Sequence, residues 1–167
     1  MDELKKTDQI ALAAAIAEPQ HQPQTAFATL GNLADTLVGA RMFTVLAFDF
    51  PRQVARRLYS TDEAIYPTGV EDPLMDTIWE RTLVGERRPL VLNDPTALAT
   101  LLPNTAELVA LGCEAMLNLP VVVAGQTIGA LNMLHESGRY TPERIEAAHA
   151  LLPGAAAMLL WAQKQGI

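Results

Sequence analysis

Residues 112–135 read GCEAMLNLPVVVAGQTIGALNMLH. Two apolar runs, Glu114 to Val123 and Thr127 to Leu134, flank Ala124-Gly125-Gln126. Each run has the composition of a strand, and the glycine of the link accepts the positive φ that a tight hairpin turn demands. Each run also carries one asparagine among aliphatic neighbours: Asn118 between Leu117 and Leu119, and Asn132 between Leu131 and Met133. Strand side chains alternate between faces. Glu114, Met116 and Asn118 therefore share one face, opposite Ala115, Leu117 and Leu119. In the second run Ile128, Ala130 and Asn132 oppose Gly129, Leu131 and Met133. The spacing predicts a hairpin with one oily face and one face bearing two amides. Buried amides require partners, so the second face is expected to border a polar spot or a pocket.

Outward from the hairpin, apolar spacing places the remaining elements. Thr7 or Asp8 is positioned to cap a short Ala-rich helix that Pro19 stops near Glu18. Such a helix is marginal alone and is expected to pack on the domain or on a second subunit. Pro23 opens a stronger helix to about Val38, with Ala26, Phe27, Leu30, Leu33, Ala34 and Leu37 on one face and Gly39 at its C-cap. Met42–Phe50 and Val54–Ser60 read as strands joined at Pro51-Arg52-Gln53. In the second of these, Arg57 and Tyr59 are expected on one face and Arg56 and Leu58 on the other. Thr61–Asp72 reads as a loop.

Asp72-Pro73 is read as the start of a helix carrying Leu74, Met75, Ile78, Trp79 and Thr82 or Leu83, closed by Gly85. Pro89–Leu92 is expected as an edge strand. Asn93-Asp94-Pro95 repeats the cap-proline arrangement for a helix interrupted at Pro103-Asn104. Thr141-Pro142 starts the last helix, which Pro153 should kink. Helices do not alternate with strands in a βαβ manner, so the expectation is α+β: an antiparallel sheet with helices on its faces.

The chain has 167 residues, enough for one domain with a sizeable core. Lys and Arg total 12 against 19 Asp and Glu, a net charge of −7. That balance argues against nucleic acid and against an anionic membrane surface, both of which reward clustered cations. The local basic residues Arg52, Arg56, Arg57, Arg87 and Arg88 are expected to be solvated strand and loop charges. No window is read as a membrane span, and the N-terminus lacks the pattern of a signal peptide. With a single cysteine, Cys113, no internal disulfide forms. A cytoplasmic location is therefore expected.

The ensemble from Gly112 to Ala156, GCEAMLNLPVVVAGQTIGALNMLHESGRYTPERIEAAHALLPGAA, resembles the closing half of a GAF domain. The Leu-Pro-Val step, the Gly-containing turn, the Ile-Gly-Ala-Leu-Asn strand and the Tyr-Thr-Pro helix start carry the likeness. The upstream helix and FTVLAFDF fit the opening half. The resemblance implies a PAS-related fold: five or six antiparallel strands, terminal helices on one face, middle helices and loops on the other. It makes residues 1–22 a helical extension and 23–167 the GAF domain. It also implies a small-molecule sensor or regulatory module in signalling, with no cofactor named and a homodimer through the terminal helices.

Subgroup signatures are missing. Cys113 is followed by Glu114 rather than by the His of many bilin-binding members, and no cyclic-nucleotide signature occurs. One cysteine does not supply both thiols of a free methionine sulfoxide reductase. An enzyme of that type and a purely structural dimerisation domain remain as alternatives. Leu12, Ile16 and Trp161 are the helix-face residues that suggest the dimer.

The expected ligand-binding residues are Tyr59, Tyr66, Trp79, Glu114, Met116, Asn118 and Asn132: aromatic walls with a few polar groups. Against each stands a plainer role in core packing, backbone satisfaction or solvation. Asp94 is read as a helix cap and Cys113 as a structural thiol. His21, His135 and His149 are too scattered for a metal site, and no catalytic set is identified.

Overall fold

In the computed structural model, which describes residues 5–167, the hairpin forms. β5 (Ala115–Val123) and β6 (Gln126–His135) pair antiparallel. Their turn is Ala124 and Gly125, at φ 48° and 78°, the pair of positive φ values that a primed two-residue turn requires. β1 (Met42–Asp49) lies beside β6, and β2 (Val54–Ser60) pairs with β1. The short strands β3 (Glu71–Pro73) and β4 (Leu90–Leu92) form the two edges, giving a six-stranded sheet in the order β3-β2-β1-β6-β5-β4. Every pairing is antiparallel.

One face of the sheet is covered by terminal helices. α1 (Lys6–Ala17) and α2 (Gln24–Leu37) precede the sheet. The face is completed by the C-terminal helical run that begins at Pro142. Phe27, Leu30, Phe43, Leu117, Leu131 and Leu159 are fully or almost fully buried in this layer. Leu12 of α1 lies against Gly154, where an added Cβ would come within 2.7 Å of Leu12 Cδ2. Leu12 is therefore buried within the chain, and Ile16 is partly buried against the same core. Residues 1–4 of the expected extension lie outside the described residues.

The opposite face is roofed by residues 62–111. α3 (Ile78–Glu80) runs into a π-turn over Arg81–Gly85, and α4 (Pro95–Ala99) and α5 (Thr105–Ala110) follow. Leu83, Leu98 and Leu108 pack here against Leu46, Phe48 and Met116 of the sheet.

The helix expected from Asp72-Pro73 does not start there. Pro73 belongs to β3, and the helix starts at Ile78 with Thr77 as N-cap. Thr77 and Glu80 form a capping box, with Glu80 accepting from the Thr77 backbone N–H. This reciprocal satisfaction of two donors outweighs the aspartate-proline start. At the C-terminal end α6 (Pro142–Ala148) passes through a 3-10 turn at His149–Leu151 into α7 (Leu152–Gln165). The turn tightens just before Pro153, where the backbone bond is lost. The run Pro142–Gln165 is long and apolar enough by length and composition to cross a membrane, contrary to the expectation that no window is. Ala155, Met158, Leu159 and Ala162 nevertheless bury in the helix-side core.

Two β-bulges decide which side chains face which layer. Val45 pairs with Tyr59 but Leu46 with Arg57, leaving Leu58 as the extra residue of β2. Val121 pairs with Gly129 but Val122 with Thr127, leaving Ile128 as the extra residue of β6. A bulge sets consecutive residues on the same side. Leu58 and Tyr59 both turn to the terminal helices, and so does Ile128. Ile128 was expected with Ala130 and Asn132 and is corrected for this reason. Thr127 faces the roof instead, its Oγ1 donating to the Leu83 carbonyl at 2.8 Å.

Candidate functional site

Between the sheet and its roof lies a cavity of about 260 Å³. Met42, Leu46, Met116 and Leu134 supply apolar floor from three central strands, and Leu74, Leu101 and Leu102 come from the roof. The polar part of the floor is a ladder. Thr44, Asn132 and Asn118 are consecutive register partners on β1, β6 and β5. The Trp79 indole N–H donates to Asn118 Oδ1 at 3.0 Å, Asn118 Nδ2 donates to Asn132 Oδ1 at 2.6 Å, and Asn132 Nδ2 donates to Thr44 Oγ1 at 3.0 Å. Each amide keeps a second N–H for another acceptor, and the threonine keeps its proton. Asn118 is 2 % exposed and Thr44 6 %. At that burial a broken link leaves a stranded polar group, at a cost of about 1–3 kcal/mol.

The roof is held rigidly over this ladder. The Trp79 ring meets Phe48 edge-on, with centroids 5.6 Å apart. The capping box fixes the turn that carries Trp79. Burial alone would raise the Glu80 carboxyl, but hydrogen bonds from Thr77 and from the Met75 and Thr77 backbone hold it below the usual carboxylate range. Tyr66 packs beneath the Arg57 guanidinium, 5.0 Å from ring centroid to Cζ. Burial pushes its phenol up, against the opposing effect of the hydrogen bond to Asn104.

Five of the expected site residues, Tyr66, Trp79, Met116, Asn118 and Asn132, line this cavity together. Tyr59 does not. The bulge at Leu58 turns it to the other layer, where its ring lies 6.2 Å from that of Phe27 and 6.1 Å from that of Phe43. Glu114 is also elsewhere: it precedes β5 at the far end, and its Oε2 accepts from the Ser137 N–H at 3.3 Å.

Thr44 and Arg57 also line the cavity and were not among the residues expected. Arg57 was read as a solvated charge, yet its side chain is only 10 % exposed. The signal was available: Arg56 and Arg57 are adjacent in a strand, so one of them must face inward wherever both faces of the sheet are covered. Arg57 Nη1 donates to the Pro67 carbonyl at 3.3 Å, and Nη2 lies 3.6 Å from Asp72 Oδ2. Its Nε is buried without a hydrogen-bond partner.

Outside the cavity, Asp94 caps α4 through the Ala97 N–H, as expected. Asn93 clamps the Tyr140 backbone, donating to its carbonyl at 2.9 Å and accepting its N–H at 3.1 Å. Cys113 is 1 % exposed, and burial pushes its thiol up. Among the described residues no cluster of three or more His, Cys, Asp or Glu side chains is placed to hold a metal ion.

The GAF domain family matches residues 20–159. No curated protein matches the chain. Among solved structures, the phycocyanobilin-bound GAF domain of a cyanobacterial phytochrome is similar, with TM-score 0.69 and 15% identity over 99% of this chain and 98% of that one. The GAF domain/HD domain protein from Geobacter sulfurreducens has TM-score 0.66 and 23% identity over 83% and 92% of the two chains. The GAF domain of a phosphoenolpyruvate-protein phosphotransferase from Coxiella burnetii has TM-score 0.66 and 17% identity over 95% and 96%. The antiparallel sheet, its two helical layers and the span of the family match agree: the chain belongs to the GAF domain family.

Proposed function

We propose that this chain is a cytoplasmic, non-catalytic sensor or regulatory module. It takes a small organic ligand into the cavity between sheet and roof, with Tyr66, Trp79, Met116, Asn118 and Asn132 as contacts. The supporting observation is the cavity itself: about 260 Å³, mostly apolar, with a continuous amide ladder on its floor. Small-ligand sites combine apolar walls with a few placed polar groups in this way. The phycocyanobilin of the phytochrome relative suggests that the fold can host a ring-bearing molecule. A thiol-linked pigment is not part of the reading, since Cys113 is 1 % exposed and does not line the cavity. The same burial and the raised thiol favour a binding module over a thiol enzyme.

Residues 1–22 form an extension of the module, and the terminal helices pair it with a second copy. Ile10, Leu160 and Trp161, at 60 %, 45 % and 36 % exposure, support this pairing. Native mass spectrometry of freshly purified protein, with a thermal-shift screen of metabolites, tests the ligand reading. An added mass or a raised Tm is expected; neither, across a broad set, overturns it. Sedimentation at micromolar concentration tests the pairing, and a monomer there removes it.

A further inference from the structure

We propose that the cavity selects a small monocarboxylate with an aromatic or branched apolar body, and that Arg57 receives the carboxylate. The assignment rests on the ligand-binding reading above and adds the charge class of the ligand. Arg57 lines the cavity and is nine-tenths buried. Its guanidinium carries five N–H groups in a planar fork. Nη1 is used by the Pro67 carbonyl, Nη2 faces Asp72, and Nε–H is buried with no acceptor. Of the acids near it, Asp72 lies 3.6 Å away with a side chain 59 % exposed. The Glu63 carboxylate, lowered first by its hydrogen bonds from Thr68 and then by Arg57, lies at the surface, so water screens both pairs. A carboxylate offers two oxygens at the spacing of the fork and can accept from Nε and a neighbouring nitrogen at once.

The rest of the cavity narrows the class. Asp72 and Glu80 both line it, which disfavours a phosphate of charge about −1.5 to −2. Glu80 is itself engaged by Thr77 and Met75 and is no counter-ion for the guanidinium. Met42, Leu46, Met116 and Trp79 offer apolar surface to the ligand body. An apolar cavity of about 150 Å³ holds one benzene ring, so about 260 Å³ suits a one- or two-ring body. The ladder ends at Thr44, and Arg57 pairs with Leu46, two residues further along β1. A ligand can thus reach both the guanidinium and the amides.

Isothermal titration of the full chain with 1-naphthaleneacetate and with its neutral twin 1-naphthaleneacetamide tests this. The acid is expected to bind the wild type at least about tenfold more tightly than the amide, the worth of a charge-assisted hydrogen bond. In Arg57→Met the preference is expected to fall to within about twofold, with amide affinity retained. Arg57→Lys, which keeps the charge but not the fork, is expected to hold an intermediate preference and serves if the methionine variant does not fold. Equal binding of acid and amide by the wild type, or a preference that survives in Arg57→Met, overturns the carboxylate assignment and leaves the ligand-binding reading standing. Binding of neither compound, with no thermal shift from any metabolite, overturns both.

Discussion

Asn118 hands an amide proton to Asn132 across a register pair of β5 and β6, at 2.6 Å. The contact lies within the sheet, and the Trp79 indole ties it to the roof. Trp79 donates into one end of the link, and Thr44 accepts at the other. The buried polar groups on the cavity floor thus behave as one network rather than as separate capped amides.

Replacing Asn132 with alanine removes both an acceptor and a donor, stranding Asn118 Nδ2. A loss of about 1–3 kcal/mol in unfolding free energy is expected from urea titration. If the network acts as a unit, Asn118→Ala and Asn132→Ala together cost less than the sum of the singles, with a coupling of about 0.5–3 kcal/mol. Strict additivity of the two would show that the ladder is only a coincidence of neighbours.

Trp79→Phe keeps a ring against Phe48 and deletes the indole N–H that Asn118 Oδ1 accepts. A destabilisation of about 1–2 kcal/mol is expected. Trp161→Phe, at a position 36 % exposed, is expected to stay within about 0.5 kcal/mol in the monomer. Comparable losses from the two in denaturant titrations would mean that the indole hydrogen bond contributes little.

Much of this arrangement was legible in the sequence because period-2 patterning is insensitive to detail. Asn118 and Asn132 sit among aliphatics, and simple alternation put both on the cavity face. Gly125 marked the turn. What alternation does not encode is a bulge, which needs one unpaired residue and leaves no residue-type signature at Leu58 or Ile128. From Leu58 onward the parity of β2 flips, which carries Tyr59 to the opposite layer. Arg57 lies before the bulge and faces the cavity as alternation places it, but a charge in a strand reads as solvated. The roof was harder for a different reason: its helices are short, so their apolar stripes are too brief to read. The Thr77-Ile78-Trp79-Glu80 capping box was the better signal there, and it competed with Asp72-Pro73.

The bulge in β6 also sets a steric test. A Cβ built on Gly129 would lie 2.2 Å from the Leu46 carbonyl oxygen and 2.8 Å from Leu159 Cδ1. The first neighbour is backbone and cannot rotate away. Gly129→Ala is expected to cost about 3 kcal/mol or more, read as a lowered urea midpoint. Gly85 is the control: it ends the π-turn with no atom within 4 Å of an added Cβ. There alanine is expected to be neutral or to stabilise by up to about 1 kcal/mol through the unfolded chain.

His135 sets an acid limit on stability. Its imidazole is held below the ordinary histidine range by burial first, and then by the positive charges of Arg139 and Arg41. Nδ1 accepts the Glu136 backbone N–H at 2.8 Å, a bond that only the neutral ring can accept. The Glu136 carboxylate, 3.8 Å away, favours protonation, but it is 55 % exposed and also lies 3.8 Å from Arg139. The folded pKa is therefore below the unfolded one of about 6.5. Above that value both states are neutral, and the contribution of His135 to stability is fully present. As pH falls below it, the unfolded chain takes up a proton that the folded chain refuses, and stability declines toward the folded pKa. The decline is about 1.4 kcal/mol for each unit by which the pKa is depressed. His135→Gln should flatten the fall in urea midpoint between about pH 6.5 and pH 5. Parallel profiles for variant and wild type over that window would assign the acid sensitivity to other groups.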